Sequence, residues 1–436
     1  MLDKDNIFFK KKILIYGLGK SGLSAYRFLK KNNKIYLYDD NKIKNQNLEI
    51  KKKLIQYQDV IHEKIDCIII SPGIDIKKCK LKNFLKKNLG KIHTDLDIFY
   101  YYNKKNKNIT ITGTNGKSTT VKIIYEVLKC QKIDARLVGN IGNPILSEKK
   151  ITPKTVFVIE ASSYQLEYSK IFKSYLAAIL NISPDHLERH GSIRNYIKAK
   201  FKLIKTQTKK DFTFLNTNNL FIKRYLSGQK ILSKIIKINK TVQSKVLKKI
   251  DNPNFLSDGN KENLSFVFEI AKKMKISKNN LFKALQKFNG LDFRQQVIFK
   301  SKNLIIINDS KATSFSSTAS ILRSITNVYW IVGGQAKKGD KFLLNKSECK
   351  NIEAYIFGKN KKFFINKLKK KINYQLFDDL KSSIKKVLID IKKNNKKQKQ
   401  HIILFSPAAA SFDSFKNFED RGNYFNHLIK RMLDAK

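Results

Sequence analysis

The residues whose chemistry is easiest to read lie in one turn, Gly113-Thr114-Asn115-Gly116-Lys117-Ser118-Thr119. The apolar run before it predicts a strand, and the run 117–130 predicts a helix. Glycines between a strand and a helix let backbone N–H groups point at a phosphate, and the helix N-terminus adds positive potential. Lys117 can reach terminal phosphates, and Ser118 or Thr119 can hold Mg²⁺. The G-x-x-G-K-S spacing is shorter than a Walker A motif, and an ordinary glycine turn is the alternative.

A second glycine-rich turn, 17–22, has the pattern G-x-G-x-x-G between an apolar run and a helix-like run. Asp39 and Asp40 follow the next apolar run, at about the spacing at which an acid contacts a ribose. The pattern alone fits NAD or any other nucleotide diphosphate. A third turn, 71–73, also follows an apolar run, and a purely structural turn explains it equally well.

Two chemically capable side chains end apolar runs in the middle of the chain. Glu160 ends the run 156–160, and His186 closes the segment 181–186 after the next run. Because ligands of α/β sheets collect at the carboxyl ends of the strands, both side chains are predicted to face the Gly113 turn. Mg²⁺ prefers oxygen ligands, so the carboxylate suits it and the histidine is an unusual ligand. A structural role for each residue is the alternative.

Three polar segments in the last third of the chain follow predicted strands or open a helix: 308–313, 406–413 and 417–423. Their acids, bases and hydroxyls suit recognition of a small charged substrate. Ordinary capped loops are the alternative for each segment.

The positions of these residues depend on the elements around them. Short apolar runs alternate with helix-period runs along the chain, which predicts an α/β fold of mostly parallel sheets covered by helices. The runs separate into three blocks, with predicted boundaries at 1–104, 105–297 and 298–436.

Composition limits the class of protein. The chain has 436 residues, 42% of them apolar, and a formal net charge of +54. No apolar run approaches the roughly 18 residues of a membrane span, and four scattered cysteines with no signal-peptide pattern predict a cytoplasmic protein. Lysine is spread along the chain together with Asn and Ile, so A/T-rich codon usage explains the charge better than a nucleic-acid partner. On composition alone, Lys200 in the predicted helix 192–205 is expected on a solvated helix face.

Taken together, these segments resemble the Mur ligase family over essentially the full length of the chain. The resemblance is carried by segments 17–22, 113–119, 139–142, 160–167, 181–186, 308–313 and 406–422. It implies three domains: a Rossmann-like N-terminal domain for a UDP-linked substrate, a P-loop ATPase-like central domain, and a Rossmann-like C-terminal domain for an amino acid. The segment 415–422 is most similar to the members that add D-glutamate.

The resemblance also implies roles for individual residues. The residues implied at the ATP site are Gly113, Thr114, Asn115, Gly116, Lys117, Ser118, Thr119, Asn260, Asn263, Arg294, Asp309 and Lys311. Those implied at the UDP-linked substrate are Gly17, Lys20, Ser21, Asp39, Gly73, Asn140 and His186. Those implied at D-glutamate are Thr313, Lys337, Ser411, Phe412 and Phe418. The implied metal ligands are Ser118, Glu160, His186 and Lys200 as a carbamate, and the implied catalytic residues are Lys117, Asn140, Glu160, His186 and Lys200.

The implied activity is that of an acid–D-amino-acid ligase of peptidoglycan precursor synthesis. Such an enzyme joins D-glutamate to UDP-N-acetylmuramoyl-L-alanine through an acyl phosphate, with ATP as co-substrate and Mg²⁺ at two sites. We expect a cytoplasmic monomer with no membrane partner and no specific nucleic-acid partner.

One segment departs from the family pattern. Relatives commonly have His-Arg and then an acid where segment 291–296 keeps only Arg294, which leaves the nucleotide contacts or hinge of this loop open.

Three other interpretations of the function remain open. An NAD-dependent oxidoreductase would leave the Gly113 turn and Glu160 unexplained. A nucleic-acid-stimulated ATPase and a family member that adds a different amino acid are the other two.

Overall fold

The computed structural model describes residues 6–41, 48–336, 339–393 and 400–434. The chain forms two compact units, residues 1–239 with 266–277, and residues 240–265 with 278–436. Within the described ranges the strands form three sheets, two in the first unit and one in the second.

The first sheet has the strand order β2-β1-β3-β4 and is parallel throughout. Its elements are β1 (Lys12–Tyr16), α1 (Lys20–Leu29), β2 (Lys34–Tyr38), α2 (Leu48–Lys51), α3 (Tyr57–His62), β3 (Cys67–Ile70), α4 (Lys82–Lys87), β4 (Ile92–His93) and α5 (Asp95–Tyr102).

The second sheet has the order β10-β9-β8-β5-β7-β6 and is also parallel. Its elements are β5 (Asn108–Thr112), α6 (Lys117–Cys130), β6 (Ala135–Gly139), β7 (Val156–Glu160), α7 (Ser163–Tyr168), β8 (Leu176–Ile179), α8 (Leu187–His190), α9 (Ile193–Lys205), β9 (Phe212–Asn216), α10 (Leu220–Leu226) and β10 (Lys234–Ile238). Three helices follow: α11 (Ser244–Ile250), α12 (Asp258–Lys273) and α13 (Lys278–Gln286).

The third sheet has the order β11-β12-β16-β13-β14-β15, and only β11 among its described strands runs antiparallel to its neighbour. Its elements are β11 (Gln296–Lys300), β12 (Leu304–Asn308), α14 (Phe315–Ser324), β13 (Val328–Gly333), β14 (Ile352–Phe357), α15 (Lys361–Leu368), β15 (Asn373–Phe377), α16 (Leu380–Lys393), β16 (His401–Phe405) and α17 (Phe418–Asp434).

The central strands are buried along their whole length because helices cover both faces of each sheet. Every residue of β5, β7, β13 and β16 is buried. In the second sheet β5 lies between β7 and β8, with Ile111 opposite Glu160 and Thr112 opposite Ile179. The ends of these three strands therefore meet at one edge of the sheet.

The predicted fold class, mostly parallel sheets covered by helices, is confirmed. The strands that the prediction lacked are β4, β6, β10, β11 and β15, and each is an edge strand of its sheet in the described part of the chain. No helix among the described residues is long and apolar enough to cross a membrane.

Candidate active site

The turn at 113–116 joins β5 to α6. Gly116 caps α6 with φ +83°, a left-handed conformation that strains other residues. Nζ of Lys117 donates to the carbonyl oxygens of Gly113 and Thr114, both at 2.8 Å. Ser118 is buried in the first turn of the helix. An ammonium group and a hydroxyl thus lie at one helix N-terminus, where phosphate groups bind in many proteins.

The loop after β8 holds this turn in place. The carbonyl oxygen of Asn181 accepts from the Thr114 N–H at 2.9 Å, and its Oδ1 accepts from the Asn115 N–H at 2.9 Å. The Thr114 hydroxyl lies 3.1 Å from the hydroxyl of Tyr196 on α9. These bonds connect the end of β5 to the end of β8 and to α9.

Glu160 is the last residue of β7 and is 1% exposed. Its Oε1 accepts from Nδ2 of Asn140 at 2.7 Å, whereas its Oε2 is buried with no hydrogen-bond partner among the described residues. Gly139 has φ +106°, and a Cβ there would lie 2.4 Å from the carbonyl oxygen of Glu160, so the approach of Asn140 requires glycine. A buried carboxylate oxygen without a partner is costly, and a cation would offset that cost.

His186 begins α8 with φ +52°, a left-handed conformation that is uncommon outside glycine. Its Nδ1 lies 2.9 Å from the hydroxyl of Tyr164, and its Nε2 lies 3.4 Å from Oδ2 of Asp185. The ring centres of His186 and Tyr164 are 5.0 Å apart. The imidazole thus has a polar neighbour at each nitrogen, although 44% of the side chain is exposed.

Lys200 is 1% exposed on α9, so the expectation of a solvated position is wrong. Its Nζ donates to the Gly113 carbonyl oxygen at 2.8 Å. Burial and then the Lys117 charge hold the pKa of Lys200 well below its usual range, against smaller opposing effects of Asp185 and Glu160. The sequence could not indicate this burial, because helix periodicity alone does not say how closely α9 approaches the turn.

The residues predicted to hold Mg²⁺ can be tested for fit. Within the described residues, no group of three or more His, Cys, Asp or Glu side chains forms a metal centre. Mg²⁺ commonly takes only one or two protein carboxylates and completes its shell with water and phosphate oxygens. The unpartnered Oε2 of Glu160 fits such an ion. The structure brings Glu160, Lys117 and Lys200 together at the edge of the second sheet. The four implied metal-ligand roles, those of Ser118, Glu160, His186 and Lys200, stay predictions.

Two glycine turns of the first sheet, at Gly17 and at Gly73, are joined by a hydrogen bond. Gly17 has φ +90°, and a Cβ at Gly22 would lie 1.9 Å from the Gly17 carbonyl oxygen, so the β1–α1 turn needs both glycines. The Ser71 hydroxyl donates to that same oxygen at 2.6 Å. This bond brings the Gly73 turn beside the Gly17 turn at the carboxyl edge of the sheet.

Two other residues predicted at the UDP-linked substrate have partners within the protein. Oδ2 of Asp39 accepts from the Leu18 N–H at 2.7 Å, and the Ser21 hydroxyl donates to the buried Asp95. Asp39 and Ser21 therefore maintain the shape of the turn. Lys20, at the start of α1, is exposed. Direct contact of these residues with a substrate stays a prediction.

In the second unit, Gln295 connects the residues predicted on the nucleotide side. Its Oε1 lies 3.3 Å from the donor Nδ2 of Asn260, and its N–H donates to Oδ1 of Asp309 at 3.1 Å. Nδ2 of Asn263 donates to Oδ1 of Asn260 at 3.2 Å. Burial raises the pKa of Asp309 to about 7, partly opposed by the hydrogen bonds that Ser406 and Gln295 donate to it and then by the charge of Arg294. The segment that departs from the family pattern thus joins these residues into one network.

The residues predicted around D-glutamate differ in exposure. Ser411 is buried and Phe418 is half-buried, whereas Thr313 is exposed and Phe412 is 71% exposed. Lys337 lies outside the described residues.

A buried arginine organises the loops from which these residues come. Arg421 is 1% exposed and donates through Nη2 to the carbonyl oxygens of Ser310 at 2.8 Å and Ala409 at 2.9 Å. Nζ of Lys311 lies 3.4 Å from the centre of the Phe418 ring. The loops after β12 and β16 are therefore tied to the start of α17.

No role was predicted from the sequence for Tyr164, Asp185, Gln295 or Arg421. The first, second and fourth lie in segments that carry the family resemblance, and Gln295 lies in the segment that departs from it. The contacts of Tyr164 and Gln295 give no sequence signal, because their partners His186 and Asn260 are distant in the chain.

These parallel, helix-covered sheets, with a glycine-lysine-serine turn at the carboxyl edge of the second, define an α/β protein of the P-loop type. Two family models match the chain: the Mur ligase middle domain at residues 111–281, and the Mur ligase MurD-like N-terminal domain at residues 11–92. The chain belongs to the Mur ligase family.

Similar proteins match over nearly the full length. The UDP-N-acetylmuramoylalanine–D-glutamate ligase of Rickettsia bellii is 32% identical over 447 residues, covering 97% of this chain and 98% of the relative. The protein of the same name from Francisella philomiragia is 34% identical over 428 residues, covering 97% of each chain.

Two similar solved structures are more distant in sequence. The UDP-N-acetylmuramate–alanine ligase MurC from Thermotoga maritima is 17% identical with a TM-score of 0.55, covering 98% of this chain and 100% of that chain. The MurF ligase from Thermotoga maritima in complex with ADP is 13% identical with a TM-score of 0.53, covering 98% of this chain and 99% of that chain. At these identities they support the fold alone.

Proposed function

We propose that this protein is an ATP-dependent ligase that adds D-glutamate to UDP-N-acetylmuramoyl-L-alanine. The observation that carries the proposal is its identity of 32% and 34%, over 97% of its length, to two proteins named for that reaction. The phosphate-binding turn beside a buried carboxylate supports the same chemistry. The reaction is a cytoplasmic step of peptidoglycan precursor synthesis, and the protein acts there as a monomer.

Each of the three domains predicted from the sequence has its own task in this proposal. Residues 1–104 bind the UDP part of the substrate, residues 105–297 bind ATP, and residues 298–436 bind D-glutamate. Nucleic acid has no specific part in the reaction.

The first step makes the alanyl carboxylate reactive. One of its oxygens attacks the γ-phosphorus of ATP, ADP leaves, and an acyl phosphate forms. Lys117 exchanges its bonds to loop carbonyls for bonds to phosphate oxygens. Asn140 has two amide hydrogens; one binds Oε1 of Glu160, and the other is available to the transferring phosphoryl group. Such preorganised donors stabilise the charge as it moves.

One Mg²⁺ would be held by Ser118 and Glu160, and a second by His186; when bound, the ions would neutralise the charge of the phosphate oxygens. Oε2 of Glu160 is the protein atom best suited to the first ion, since the oxygen is buried and unpartnered among the described residues.

Lys200, as a carbamate, would be an oxygen ligand at the second ion, together with His186. Burial lowers the pKa of the Lys200 amine, which increases its neutral fraction, and a neutral amine can form an N–C bond to CO₂ with release of a proton. The product is an oxygen anion in place of an ammonium group. This change converts Lys200 from a donor into a ligand.

The second step forms the peptide bond. The amine of D-glutamate attacks the acyl carbon, and the tetrahedral intermediate expels phosphate, with the amine proton passing to solvent. The residues that recognise D-glutamate in this proposal are Thr313, Lys337, Ser411, Phe412 and Phe418. Exclusion of water protects the acyl phosphate from hydrolysis.

Phosphate release with different amino acids tests the proposal. Purified protein with ATP, Mg²⁺ and UDP-N-acetylmuramoyl-L-alanine should release phosphate fastest with D-glutamate, and slowly with L-glutamate, L-alanine or a diamino acid. A reaction without the UDP-linked substrate is the control. No release, or a preference for another amino acid, would contradict the assignment.

A further inference from the structure

Tyr164 lies between His186 and a buried arginine. It is the second residue of α7, four positions after Glu160. Its hydroxyl is 2.9 Å from Nδ1 of His186, and the two ring centres are 5.0 Å apart. The guanidinium carbon of Arg189 lies 5.0 Å from the centre of the tyrosine ring. The tyrosine therefore contacts a predicted metal ligand through its hydroxyl and a cation through its ring.

Arg189 itself is fixed from two sides. It is 8% exposed. Its Nη2 donates to the Ile74 carbonyl oxygen at 2.5 Å, and its Nε donates to Oε2 of Glu167 at 3.3 Å. A cation over an aromatic ring is attracted to the electron-rich face of that ring. The ring of Tyr164 is thus held by a residue anchored both to α7 and to the turn that follows β3.

The hydroxyl of Tyr164 can serve both tautomers of His186. A phenol both donates and accepts, and a neutral imidazole has one N–H and one lone pair. When Nε2 carries the hydrogen it faces Oδ2 of Asp185 at 3.4 Å, and Tyr164 donates to Nδ1. When Nδ1 carries the hydrogen it donates to Tyr164, and the lone pair of Nε2 is available to a cation. The change needs no rotation of the ring.

We propose that Tyr164 is a positioning residue that holds the His186 ring in one orientation in both tautomers. His186 then presents Nε2 to a divalent cation by relocating one proton. The inference rests on the metal-ligand role of His186 in the proposed function. Without the hydroxyl, the charged neighbour of Nδ1 is Oε1 of Glu188 at 3.7 Å, which is too far for a hydrogen bond. To donate from Nδ1 to this carboxylate the ring must turn, and the turn moves Nε2 out of the orientation in which it faces the cation.

Nitrogen NMR of the histidine side chains tests this directly. The chain has only six histidines, and H186Q assigns the signal of His186. In metal-free wild-type protein His186 should be the tautomer with hydrogen on Nε2. In Tyr164→Phe, which keeps the ring, the fraction with hydrogen on Nδ1 should rise. The Mg²⁺ concentration for half-maximal phosphate release should rise about tenfold, with kcat at saturating Mg²⁺ nearly unchanged.

Tyr168→Phe is the matched control. Tyr168 lies one turn later on α7, and its ring centre is 5.9 Å from the guanidinium carbon of Arg189. The variant should leave the His186 signals and the Mg²⁺ dependence unchanged.

Two results would overturn the inference. One is identical His186 signals and Mg²⁺ dependence in wild type and Tyr164→Phe; the other is metal-free wild type with hydrogen on Nδ1. The wild-type spectrum needs no variant, so the inference can be contradicted even if Tyr164→Phe does not fold. Failure of wild type to release phosphate would instead defeat the proposed function and leave the NMR comparison valid.

Discussion

The two carboxylate oxygens of Glu160 have different environments, and this difference carries most of the proposed chemistry. Oε1 orients Asn140, while Oε2 is buried and unpartnered within the described chain. Glu160→Gln keeps the size of the side chain and removes the negative charge that a cation requires. Phosphate release should fall about 100-fold or more, while the melting temperature stays close to wild type.

Glu126→Gln is the control for this substitution. Glu126 lies on α6 in an i,i+4 ion pair with Lys122, both partly exposed, so its loss should change activity little. Near-normal release by Glu160→Gln would show that the carboxylate charge is not needed.

Asp309 should make stability depend on pH. Burial raises its folded pKa from 3.8 to about 7, so the folded state keeps its proton to higher pH than the unfolded chain does. Stability is therefore lost as pH rises from about 4 to about 7, by up to about 4 kcal/mol. Asp309→Asn does not titrate, so its melting temperature relative to wild type should increase between pH 5 and pH 8. A constant difference across that range would contradict the pKa shift.

At the scale of elements, Asp97 on α5 fastens the first sheet to the second within one compact unit. Its Oδ1 accepts from the Ser169 hydroxyl at 2.8 Å and from three consecutive N–H groups of residues 170–172 at 2.9–3.0 Å. Asp97 is fully buried. Asp97→Asn should lower the free energy of unfolding by about 2–4 kcal/mol, because these donors lose a charged acceptor.

Denaturant unfolding measures this effect, with Asp66→Asn as the control. Asp66 is exposed and accepts from the Lys12 N–H at 2.9 Å. If both variants lose the same stability, the attachment of α5 does not depend on Asp97.

The strands that were not predicted from the sequence are edge strands of their sheets in the described part of the chain. The central strands β7 and β16 are almost continuous apolar runs, because both of their faces are covered, and β5 alternates the β-branched residues Ile and Thr. These three strands were predictable for those reasons. β10 and β15 are largely exposed or half-buried and contain polar residues, so they give no such run. The antiparallel pairing of β11 likewise has no signature in a single sequence.

The candidate site was predictable only in part. The order of glycines, lysine and hydroxyls in 113–119 defines the phosphate turn locally. The burial of Lys200 and the bridging role of Gln295 depend on contacts between distant segments, which a single sequence does not encode.

At the scale of the whole molecule, the net charge of +54 invites a nucleic-acid interpretation. If the charge only reflects composition, DNA or RNA should not stimulate ATP turnover, and exposed charges should be largely screened at physiological salt. The UDP-linked substrate together with D-glutamate should stimulate it strongly. Phosphate release should be measured with polynucleotide and, separately, with the UDP-linked substrate and D-glutamate, to distinguish a ligase from a nucleic-acid-stimulated ATPase. Stimulation by polynucleotide alone would favour the ATPase.

The central claim is that the chain activates a carboxylate as an acyl phosphate. Substrate labelled with ¹⁸O in the alanyl carboxylate tests it most directly, because the oxygen that attacks phosphorus leaves with the phosphate. Mass spectrometry of the released phosphate should find one ¹⁸O atom per molecule when D-glutamate is present. Unlabelled phosphate beside a fully labelled product would contradict the account.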